Sequence, residues 1–191
     1  MSDAEKKLRE DLNIITAMAA DMDQYLTSDV LFWPLDNSQY PRLTLGGYLF
    51  RQHRLQALTH LLSSTDQNQL TDTTAQFHNS IDDRIVRVEE RAHQELETRL
   101  RQWQTSLQEM RQNADNTAYY ATAAEKRAMM DAIIDHLSHS PYRLDQDLAN
   151  RLNQLDITLR SRWRDGDFIW PDEWQDAYPK SQYWWLYGAP V

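Results

Sequence analysis

Apolar residues recur three or four positions apart through most of this chain. The clearest run is Leu70, Phe77, Ile81, Ile85, Val88, Ala92, Leu96, Leu100, Trp103, Leu107 and Met110. That rhythm lines one face of an α-helix and approaches a heptad seam. No Gly or Pro interrupts the chain between Tyr48 and Ser140. A helix over about 70–112 is therefore expected, with its seam spanning roughly 60 Å at 1.5 Å per residue.

Four further helices are predicted. Ser2 with Glu5 has the form of a capping box, in which hydroxyl and carboxylate satisfy free backbone N–H groups. It opens a helix over 3–27 whose stripe is Leu8, Leu12, Ile15, Ala19, Met22 and Leu26. Thr44 is the N-cap expected for a helix over about 44–62. An Ala-rich helix follows over about 117–138. Ser140-Pro141 suits an N-cap and first helical position, so a fifth helix is expected from there to about Arg164, with Gly166 ending it. The predicted fold class is all-α: one domain over 1–191, an antiparallel bundle of about five main helices.

Two Pro-stiffened aromatic segments flank these helices, 28–41 and 165–187. The second carries Phe168, Trp170, Trp174, Tyr178, Tyr183, Trp184, Trp185 and Tyr187. So much apolar surface predicts a tail (165–191) packed on the bundle, or on a partner, rather than free in water. The long seam predicts a homodimer along the third helix.

Composition narrows the function classes. The net charge of -9 argues against binding nucleic acid or anionic lipid through bulk charge. With no cysteine, thiolate catalysis and Cys-based zinc sites are excluded. The opening residues lack the apolar core of a signal peptide, and no stretch is apolar enough to span a membrane. A cytoplasmic location is the matching expectation. No phosphate loop or nucleophile elbow is present, and no cofactor is implied.

Candidate chemistry is thin. Glu90 and His93 have the Glu-x-x-His spacing of carboxylate-bridged metal bundles, but a di-metal site needs two such pairs. His136 and His139 lie near a helix end, with no third ligand signalled. Arg54–His60 and Arg87–His93 share the Arg-x(4–6)-His spacing of the HEPN ribonucleases. Leu55 and Val88 stand where that family carries a polar residue, and the Arg and His content supplies about that many matches by chance.

The sharpest candidate is a charge asymmetry. No acidic residue occurs between Asp36 and Asp66, a window holding Arg42, Arg51 and Arg54. Gly46 and Gly47 fall in the first turn of the predicted second helix, where bare N–H groups and the helix dipole favour an anion. An anion pocket of Arg42, Gly46, Gly47, Arg51 and Arg54 is one expectation. The competing one is that these arginines pair with the acids of the tail, and that the glycines permit tight packing. For function the expectations are, in order, a structural or protein-interaction role through the third helix or the tail, a small-ligand or anion-binding bundle, and a metal-dependent or HEPN-like enzyme. No catalytic residue and no metal ligand is assigned.

Overall fold

A computed structural model describes residues 2–191 of the chain. Six α-helices dominate it: α1 (Asp3–Thr27), α2 (Leu45–Ala57), α3 (Ser64–Ile81), α4 (Ile85–Gln112), α5 (Tyr120–Leu137) and α6 (Gln146–Arg160). Two strands follow, β1 (Trp163–Phe168) and β2 (Tyr187–Pro190), so the fold is mainly helical but not purely so.

α1 begins and ends where expected. The Glu5 amide donates to Ser2 Oγ (3.2 Å) and the Ser2 amide to Glu5 Oε2 (2.7 Å), closing the capping box. All six residues of its stripe are buried, and α1 packs chiefly along α3. α2 packs on both α1 and α5, and α4 on α5 and α6.

The long helix is the main correction. It is two helices, broken at 82–84. The spacing hides the break, because Ile81 and Ile85 are still four apart. The cause is tertiary. Arg84 Nη1 donates to the Ser80 carbonyl (2.6 Å) and also pairs with Asp23 of α1. Arg87 Nε donates to the Leu26 carbonyl (2.7 Å), and Arg87 Nη2 donates to the Ser28 carbonyl. The last turn of α1 has no basic residue of its own. Arg87 therefore brings a cation from α4 to carbonyls that would otherwise lack partners.

Nine of the eleven seam residues are buried within one chain, and Ile85 and Leu107 are half-buried. Leu70, Phe77, Ile81, Val88, Ala92, Leu96, Leu100, Trp103 and Met110 are all buried.

Three smaller boundaries also move. α2 stops at Ala57 and continues as a 3-10 turn, Thr59–Leu61. A 3-10 segment, Ala114–Tyr119, precedes α5. The last helix starts at Gln146 rather than at Pro141. Asp145 caps it, accepting from the Asp147 amide (2.9 Å). The residues before it are held to α4 instead, with the Arg143 amide donating to Glu89 (2.6 Å) and the Asp145 amide to His93 Nε2 (3.1 Å).

The tail folds onto the bundle as an antiparallel ribbon, with Trp163 opposite Pro190 and Asp165 opposite Gly188. Gly166 lies inside β1 rather than closing a helix. Gly188 has φ +141°, and a Cβ there would lie 2.1 Å from the Arg164 carbonyl oxygen, so this crossing requires glycine. Trp174, Tyr178, Tyr183 and Trp185 are buried. In the 28–41 connector Leu35 is buried, and Trp33 bridges to Leu43 through paired backbone hydrogen bonds.

Candidate functional site: a histidine-lined cleft

The acid-free corner becomes an internal ion network. Thr44 caps α2 by accepting from the Gly47 amide (2.9 Å). The Gly46 amide donates to Glu95 Oε2 (2.8 Å), a carboxylate with no solvent exposure. Arg99 Nε donates to the other Glu95 oxygen (2.6 Å). An anion does sit at this helix start, and the chain's own α4 supplies it. A Cβ on Gly46 would fall 2.6 Å from Glu95 Oε1 and 2.8 Å from Ile133 Cδ1, so glycine is what lets the carboxylate reach the amide.

Arg51 and Arg54 both pair with Asp11 of α1, at 3.1 and 2.8 Å. Arg51 Nη1 also donates to the Gly47 carbonyl (2.9 Å). The Arg54 guanidinium lies 3.8 Å from the Trp174 ring centre and 4.4 Å from that of Phe50, and its Nε donates to the Tyr178 hydroxyl (3.1 Å). The tail thus meets Arg54 through rings rather than through its acids. Arg42 is exposed. Gly46, Gly47, Arg51 and Arg54 come together, then, around carboxylates of the chain itself.

The other sequence candidates have separate partners. Glu90 pairs with Arg87 (3.1 Å), while His93 accepts from the Asp145 amide. Arg54 and Arg87 are engaged as described, and His60 is exposed. Among the described residues, no group of three or more His, Asp or Glu side chains is arranged to hold a metal ion. No helix among them is long and apolar enough to cross a membrane.

Sequence reasoning missed a cleft of about 730 Å³ where α2, the end of α3, α5 and the tail meet. Its floor is apolar and aromatic: Phe50, Ala128, Tyr178 and Tyr183 line it and are buried. Its rim is polar. Four of the six histidines line the cleft, His53, His78, His136 and His139, together with Asp82, Asp131 and Asp135. No lysine or arginine is among the lining residues.

Each histidine is held differently. His53 Nε2 is 2.8 Å from the Ala177 carbonyl oxygen. A carbonyl only accepts, so Nε2 carries the proton and Nδ1 is left as an acceptor. His78 Nδ1 lies 3.7 Å from Asp82. His139 Nδ1 donates to the Asp135 carbonyl (2.7 Å). His136 packs against Tyr142 with the rings tilted (centres 4.6 Å apart), and its buried Nε2 has no hydrogen-bond partner. Burial lowers the His136 pKa, and His78 and His139 push it the same way against Asp135. Burial likewise raises the Tyr178 and Tyr183 hydroxyls. The arrangement offers hydrogen-bond donors and acceptors above an apolar floor, which is the make-up of a small-molecule site.

Comparison with protein-family models, with curated proteins and with solved structures yields no match for this chain.

Proposed function

We propose that this protein is a small-molecule-binding helical protein, and that the cleft between α2, α3, α5 and the tail is its binding site. The observation that carries the reading is the convergence of four histidines and three aspartates on one cavity with a buried aromatic floor. About 730 Å³ lies within the range of small-ligand pockets, roughly 300–1,000 Å³.

The interaction role expected from the sequence had two surfaces, the third-helix seam and the aromatic tail. Most of the seam is buried, as are Phe168, Trp174, Tyr178, Tyr183 and Trp185 of the tail, which favours ligand binding over that reading. The anion-binding alternative relied on the Gly46 and Gly47 amides, which already donate to Glu95 and Thr44.

A thermal-shift screen of small metabolites on the native chain and on Ala132→Trp tests the proposal. Ala132 lines the cleft, and the larger ring would fill it. A ligand that binds only the folded state raises the melting point. Compounds that stabilise the native chain should lose that effect in the variant, whose own melting curve reports its folding. Equal stabilisation of both chains would place binding elsewhere.

A further inference from the structure

We infer that the cleft selects an organic cation with an apolar body, its ammonium group set among Asp82, Asp131 and Asp135 and its body on the ring floor. The inference rests on the reading of the cleft as a ligand site.

The lining is one-sided in charge. It holds three carboxylates and no lysine or arginine. Two guanidiniums border it and both are committed: Arg54, whose Nε donates to Tyr178 of the floor (3.1 Å), pairs with Asp11 (2.8 Å). Arg127 donates to both oxygens of Asp156 (3.0 and 2.8 Å) and lies 3.4 Å from Asp131. That triad keeps one net negative charge. Asp82 lies 3.7 Å from His78 Nδ1 and faces Tyr142. Asp135 is exposed at the rim. Asp131 and Asp135 are four apart on α5, so they share one helix face. The chain as a whole carries -9, which raises the local concentration of cations over anions.

The floor fits the other half of such a ligand. Phe50, Tyr178 and Tyr183 present rings, and Tyr142 stands at the side against His136. Ring faces attract ammonium groups as well as apolar bodies. An anion would meet three carboxylates. A neutral molecule would gain from the floor and from the rim's hydrogen-bonding groups, but nothing from its charge.

The cavity's titratable groups come from each element packed around it. His53 faces the cavity from α2, His78 from α3, His136 from α5 and His139 from the turn after it. The facing acids are Asp82, Asp131 and Asp135; Tyr142, Tyr178 and Tyr183 stay neutral, since burial raises all three. Burial holds the His136 pKa below the ordinary value.

A matched set of probes tests the inference: 2-phenylethylammonium, 2-phenylethanol and 3-phenylpropanoate, each titrated by NMR on the native chain. Backbone amides of His53, Ala132 and Asp135 report the cleft. The ammonium should bind at least tenfold more tightly than the other two. It should lose several-fold in Asp135→Asn or Asp82→Asn but not in Asp72→Asn on an outer face. Equal binding of all three, or a preference for the anion, overturns the cation inference and leaves the cleft as a ligand site. If none of the three shifts these amides, the inference fails and the ligand-site reading fails with it.

Discussion

The Gly46 amide donates to Glu95 Oε2 at 2.8 Å, so the opening of α2 is closed by a carboxylate from α4. Removing that carboxylate would leave Arg99 and the Gly46 N–H buried without their anion. Glu95→Ala is expected to cost about 3 kcal/mol, the usual scale for breaking a buried pair from one side. Formate should restore part of that loss in the variant and little in the native chain. Urea denaturation with and without formate reads both effects.

Gly46 has room for a hydrogen and nothing larger. A Cβ would meet Glu95 and Ile133 inside 3 Å. Gly46→Ala gains about 1 kcal/mol of helix propensity and incurs overpacking of about 1–3 kcal/mol. The expected net outcome is a lower melting point. A rise would show that Glu95 moves aside at no cost.

Arg54 links three parts of the fold: Asp11 in α1, its own helix, and Trp174 and Tyr178 in the tail. Arg54→Lys keeps the charge and loses the planar fork that makes these contacts together. The loss expected is about 1.5–3 kcal/mol, the range for hydrogen bonds to charged groups. Tryptophan fluorescence during unfolding should report earlier release of the tail. Coincident loss of fluorescence and helicity at the native midpoint would contradict this role.

His136 predicts an acid-side loss of stability. Burial sets its folded pKa below the ordinary value of 6.5, so the unfolded chain takes up the proton first. Its contribution is whole above about pH 6.5. It declines as pH falls from there until the lowered folded pKa is passed. His136→Gln should flatten that part of the melting-point profile between pH 7 and 5. An unchanged slope would remove His136 from the account.

The sequence made local structure legible and long-range structure much less so. The capping box at Ser2 and the N-cap at Thr44 rest on residues a few positions apart, and both are present. The break at 82–84 could not be read, because no Gly or Pro marks it and the apolar spacing continues across it. It is made by Arg84 and Arg87 reaching back to α1. Ser140-Pro141 resembled a helix start because the competing cap, Asp145, becomes decisive only once α4 holds the preceding backbone. The anion corner was half legible. Its glycines and arginines were visible, but Asp11 and Glu95 lie outside the acid-free window that drew attention to it.

The cleft was not legible as a site. His53, His78 and His136 come from three helices, and no short motif joins them. The His136–His139 pair was visible alone, with nothing in the sequence to point toward His53 or the tail tyrosines.

The claim that this cleft is the ligand site is tested most directly by an amide NMR screen of a diverse fragment library on the native chain. The account predicts that hits share one set of shifted amides, centred on His53, His78, Ala132 and Asp135. Shifts that gather elsewhere on the surface, or a library without a single hit, would contradict it.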